Sequence, residues 1–107
     1  MAFYELRQYR IRPGKREAWQ ECMETEIVPF QVSKGMVIAG MFFGEEDKDL
    51  FVWLRRFESE EERERLYDAV YQHDTWKNDI GPRVGELIDR EQIKVTRLEA
   101  TPKSVLR

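Results

Sequence analysis

Twice in this chain an alternating strand runs straight into a helix-start signal, and that repetition limits the possible folds more than any other feature. Residues Phe3 to Ile11 alternate with period two and reach Pro13-Gly14, after which Ala18, Trp19, Cys22, Met23, Ile27 and Phe30 recur at helical intervals. Leu50 to Phe57 repeats the pattern and leads into Ser59-Glu60-Glu61-Glu62. There the serine can accept the amide three residues on while the glutamate reaches back, which is a capping box. The three acids of that first turn also suit the positive end of a helix dipole.

The intervening segments complete the order. Pro29 offers no amide and crowds the preceding turn, so a kink or an early end is expected near Val28, with Gly35 as the left-handed stop. Met36 to Gly44 reads as a second strand, and Glu45 to Asp49 as a turn too charged to bury. Leu66, Ala69, Val70 and His73 share one face of the second helix. Asp74 or Thr75 can cap a short helix carrying Trp76, and Gly81-Pro82 is expected to break it. Val84, Leu87 and Ile88 predict one more helical turn, Glu91 to Leu98 the last strand, and the short tail after Pro102 no regular structure. The order is βαββαβ: an α+β, ferredoxin-like domain over residues 1–107, its antiparallel sheet covered by helices on one face.

Two helices can cover only one face. The third strand is apolar on both, with Leu50, Val52 and Leu54 on one side and Phe51, Trp53 and Phe57 on the other. The simplest cover for the second face is the same face of another copy, so a homodimer is expected. Composition narrows the partners further. A net charge of −3 with interspersed signs argues against nucleic acid. No apolar run approaches the ~20 residues that cross a membrane. The chain enters a strand almost at once, so no signal peptide is expected. Cys22 is the single cysteine, so no internal disulfide can form and a reducing, cytoplasmic setting is expected.

Several short elements, taken in order, resemble one family. Tyr4-Glu5-Leu6-Arg7 followed by Tyr9 and Pro13-Gly14, then Leu54 with Phe57-Glu58-Ser59 and its acidic helix start, then Asp74-Thr75-Trp76 and Pro82 are similar to the NIPSNAP pattern. The family resembles the dimeric α/β-barrel superfamily, which includes small cofactor-independent monooxygenases, EthD-like proteins and haem-degrading monooxygenases. The resemblance implies two sheets packed into a barrel, with a pocket in each subunit between sheet and helices. It implies no defined reaction. Trp53 and Arg55 depart from the pattern, standing where histidine and tryptophan are expected.

The resemblance also chooses between the sheet faces. Position 57 corresponds to an aromatic that looks into the helix-side pocket. The expected pocket residues are therefore Glu5, Arg7, Tyr9, Trp53, Arg55 and Phe57, with Leu6, Val52 and Leu54 facing the partner. Charges in such a place must be paired. Glu5 either pairs with Arg7 or Arg55 and only stabilises the sheet, or leaves an arginine for an anionic or carbonyl-bearing ligand stacked on Trp53 or Tyr9. His73, the single histidine, either bonds a nearby carbonyl or contacts ligand at the pocket mouth. The helix histidine of haem relatives aligns nearer Tyr67 than His73, so no haem is expected, and no other cofactor. Trp19 and Trp76 read as core, Cys22 as inert packing, and the Glu60–Arg65 run as a solvated helix face. With no CxxC, no HExxH and one histidine, no metal site is expected. No phosphate loop or nucleophile elbow is present. Two readings remain: a small-molecule-binding protein without defined chemistry, or a cofactor-independent monooxygenase or isomerase acting on an aromatic or polyketide-like carbonyl compound.

Overall fold

A computed structural model describes residues 2–107. β1 (Phe3–Ile11) leads through Gly14, at φ 76°, into α1 (Arg16–Cys22), a π-helical turn (Met23–Ile27) and α2 (Val28–Ser33). β2 (Val37–Phe43) and β3 (Leu50–Phe57) form a hairpin, followed by α3 (Glu60–Tyr71). A second π-helical turn (Trp76–Ile80), α4 (Gly81–Leu87) and β4 (Ile88–Leu98) complete the order. The sheet order is β2-β3-β1-β4, with every neighbouring pair antiparallel. This is the expected α+β, ferredoxin-like arrangement.

Two prolines behave differently from the sequence reading. Neither Pro29 nor Gly81-Pro82 ends its helix. Each proline sits in the first turn of an α-helix that directly follows a π turn, and the helical backbone runs on through both junctions. A π turn spaces its hydrogen bonds one residue wider, as where the Val28 amide donates to the Met23 carbonyl. The wider turn relieves the crowding of the proline ring against the carbonyl four residues back, and proline has no amide to leave stranded. The last strand also begins earlier than expected, at Ile88, whose φ of −127° is already extended.

Ser59 caps α3, its hydroxyl accepting the Glu62 amide at 3.1 Å, while Glu62 Oε1 accepts the amide of Glu58 at 3.0 Å. The expected cap at Asp74 or Thr75 is supplied instead by His73, whose Nδ1 accepts the Thr75 amide at 3.0 Å.

The helices pack on one sheet face. Trp19, Cys22, Met23, Ile27, Ile80 and Val84 meet Tyr9, Ile11, Phe51, Trp53 and Ile88 in one buried cluster. Leu66 and Val70 meet Phe3, Met36 and Phe57 in a second. On the opposite face Leu6, Val52 and Leu54 are half-buried, while Val37 and Phe42 are exposed, Phe42 by 56%. The tail crosses one corner of that face. It lines a shallow cavity with Tyr4, Leu54 and Leu98, and the Arg107 carbonyl accepts Arg56 Nε at 2.7 Å. Among the described residues no helix is long and apolar enough to cross a membrane.

Candidate functional site

Cross-strand register builds the site. On the helix side β1 and β3 stack four rungs: Phe3 opposite Phe57, Glu5 opposite Arg55, Arg7 opposite Trp53, and Tyr9 opposite Phe51. The Glu5–Arg55 rung is charged and wholly buried, both side chains having 0% exposure. A buried charge survives only if its remaining lone pairs and protons are also met. Here most are met, chiefly from α3, and of the pair's charged atoms Arg55 Nε is left buried without a partner among the described residues. Glu5 Oε1 accepts Arg55 Nη2 at 2.8 Å, Oε2 accepts Arg63 Nε at 2.7 Å, and the Tyr67 hydroxyl lies within 2.7 and 2.9 Å of the two oxygens. Burial alone would raise the Glu5 carboxyl, but the charge of Arg55 and hydrogen bonds from Arg63, Tyr67 and Arg55 hold it below its usual 4.5.

Arg55 is equally enclosed. Its Nη1 donates to Tyr71 at 2.7 Å and Gln31 Oε1 at 3.1 Å, and its guanidinium lies between 4.9 and 5.9 Å from the ring centres of Trp53, Tyr67, Phe57 and Tyr71. An arginine caged by four rings and paired to a carboxylate has little left for a ligand.

Arg7 is placed differently. Nε donates to the Tyr9 hydroxyl at 2.8 Å and Nη1 reaches Tyr67 at 3.4 Å, while Glu5 is 3.9 Å away. Nη2 has no acceptor among the described residues, and the side chain keeps 15% exposure. Its opening is a cavity of about 170 Å³ between sheet and helices. Six aromatic side chains wall it: Tyr9, Trp19, Trp53, Tyr67, Tyr71 and Trp76. Met23, Ile27, Val84, Ile88 and Ile93 add aliphatic surface, and Arg7, Arg90 and Gln31 the polar groups. Among the described residues no carboxylate and no imidazole lines it. Tyr67, raised to about 12 chiefly by burial, stays a neutral phenol at ordinary pH.

Of the residues expected in the pocket, Arg7, Tyr9 and Trp53 line this cavity. Glu5, Arg55 and Phe57 lie on the same sheet face but outside its lining, as the charged rung and the rung below it. His73 needs a correction. It is exposed beyond the end of α3, holds the Thr75 amide and packs against Phe30, away from the cavity. Trp19 and Trp76, read as core, are cavity walls as well as packing. Sequence reasoning missed Tyr67 and Tyr71, although their i, i+4 spacing puts both on one face of α3. It also missed Arg90, which donates to the Gly81 carbonyl and lies close over Gly85 of α4.

The NIPSNAP family model matches residues 4–102. The chain belongs to the NIPSNAP family. A NIPSNAP family protein of Agrobacterium tumefaciens str. C58 superposes with a TM-score of 0.89 at 23% identity, each chain covered in full. A second from the same organism, described as of unknown function, gives 0.89 at 24% identity over 99% of this chain and 94% of its own. A putative antibiotic biosynthesis monooxygenase from Nitrosomonas europaea gives 0.71 at 12% identity over 96% and 93%. At these identities the likeness shows the shared fold. No functionally curated protein matches the sequence.

Proposed function

We propose that this NIPSNAP protein is a homodimeric small-molecule-binding protein whose ligand is a flat apolar body carrying an anionic or carbonyl oxygen. The observation that carries the reading is a cavity walled by six aromatics and lined by two arginines, of which Arg7 has only a distant share, at 3.9 Å, of a Glu5 carboxylate held closer by Arg55 and Arg63. Aromatic walls favour a planar apolar group, and a guanidinium with an unpartnered nitrogen favours a carboxylate or carbonyl oxygen. The buried free thiol of Cys22 supports a reducing, cytoplasmic setting.

The alternative, a cofactor-independent monooxygenase or isomerase, draws on the fold shared with the Nitrosomonas protein. Binding is favoured over it because the lining offers no carboxylate or imidazole to take a proton, and the Tyr67 phenol holds its own. The homodimer rests on the apolar second face, where Val37, Phe42 and Leu98 remain exposed. A thermal-shift screen of aromatic acids and quinone-like compounds against wild type and Arg7→Ala tests the binding reading. Stabilisation of wild type with a weaker response from the variant is expected. If no compound stabilises wild type, or the variant responds equally, Arg7 is structural and the reading fails.

A further inference from the structure

We propose that the cavity selects a single-ring aromatic carboxylate, charge-paired to Arg7 and gated for size and charge by Arg90. This inference rests on the cavity being a binding site, and it adds which molecules that site accepts.

Size is the first constraint. An apolar cavity of ~150 Å³ accepts one benzene ring. At about 170 Å³, this one has room for a ring and a small planar substituent, with little left for a fused second ring. Its buried apolar walls all belong to one core cluster, and Tyr67, Tyr71 and Trp76 close it from the side of the other, so enlarging it means repacking the helices.

Charge is the second. The buried rung joins one carboxylate, Glu5, to three guanidiniums, Arg7, Arg55 and Arg63. Arg63 is shared with Glu60 at the exposed end, and Arg55 is spent on Glu5, Tyr71 and Tyr67. Arg7 keeps an unpartnered nitrogen and faces the cavity. A carboxylate there would pair charge with charge in a partly desolvated place, whereas an amide of the same shape would offer the guanidinium only a neutral carbonyl acceptor.

The third is the placing of Arg90. Its Nη2 donates to the Gly81 carbonyl, and a Cβ at Gly85 would come within 3.3 Å of its Nε. A Cβ at Gly81 would meet the Trp76 carbonyl at 2.8 Å and its indole nitrogen at 3.0 Å. Two glycines one helical turn apart thus let Trp76 and Arg90 lie against α4, and both line the cavity. Arg90 is exposed overall, so it stands on the open side, and its Nη1 has no acceptor among the described residues.

The test is calorimetric titration of the full chain with benzoate, benzamide, 2-naphthoate and benzyl alcohol. Benzoate is expected to saturate wild type, with benzamide and 2-naphthoate about tenfold weaker or more. Arg7→Ala and Arg90→Ala should each weaken benzoate about tenfold, the effect of losing one charged hydrogen bond. Arg7→Lys, which keeps the charge, should retain the preference for benzoate over benzamide even if Arg7→Ala perturbs the rung. If 2-naphthoate binds as tightly as benzoate, the size selection is wrong. If benzamide matches benzoate, or Arg90→Ala changes nothing, the charge selection is wrong. In these cases the cavity remains a binding site. If none of the four compounds binds at millimolar concentration, the inference and the binding reading fall together.

Discussion

A carboxylate shut away from water beside three guanidiniums sets the chemical character of this sheet. Replacing Glu5 with Gln leaves Arg55 buried without its counter-charge. The expected loss is ~3–5 kcal/mol of unfolding free energy, the usual effect of breaking one partner out of a buried pair, read from urea denaturation. The pH dependence has a definite sign. Because the folded carboxyl lies below its ordinary 4.5, the stabilisation is complete above that value. It is lost as pH falls through the depressed folded value. Wild type should therefore lose urea resistance below about pH 4.5 by more than Glu5→Gln does. An equal slope in the two proteins would mean that Glu5 gains nothing from its partners. At this scale the sequence was legible where strand parity rules. Alternation puts Glu5 with Arg7 and Trp53 with Arg55, and the resemblance set both pairs on the helix side, where the cross-strand register brings them together. Which arginine Glu5 takes was not legible, because Tyr67, Tyr71 and Arg63 decide it from a helix about sixty residues away in sequence. His73 misled for a related reason. Helical spacing assigns a face only while the helix lasts, and α3 ends at Tyr71.

Among the elements, the strands and the α3 cap follow local rules that one sequence displays, while the proline junctions do not. A proline inside a helical pattern normally signals a stop. Here both prolines follow π turns that widen the helix by a residue, and those turns supply Met23, Ile27 and Trp76 to the cavity wall. Two substitutions probe this level. Ser59→Ala removes the hydroxyl that accepts the Glu62 amide and should lower stability by about 1 kcal/mol, measured by thermal or urea unfolding. Gly81→Ala pushes a methyl group into the Trp76 carbonyl and indole. It should both destabilise the fold and shift the fluorescence of Trp76, since the ring must move to make room. An unchanged spectrum would show that the glycine pair does not position that wall.

At the scale of the whole molecule, one sheet face is filled by helices, and the other carries an apolar patch of Leu6, Phe42, Val52 and Leu54 with only its corner crossed by the tail. Leu54→Asp would place an unpaired charge on the proposed dimer face and should leave a folded monomer at micromolar concentration. Sedimentation of wild type as a monomer under the same conditions would remove the dimer from the account. Topology was legible from the order of elements alone. The cavity was not, because its walls come from nine elements, the two π turns included, and its volume depends on how their side chains meet. All three tryptophans of the chain line that cavity, so their indole N–H resonances report on it without background. Titrating 15N-labelled protein with benzoate is the most direct measurement. The account predicts saturable shifts of the Trp19, Trp53 and Trp76 indole signals in wild type, much weakened in Arg7→Ala. Indole signals that stay fixed in wild type at millimolar benzoate, or move equally in both proteins, would contradict it.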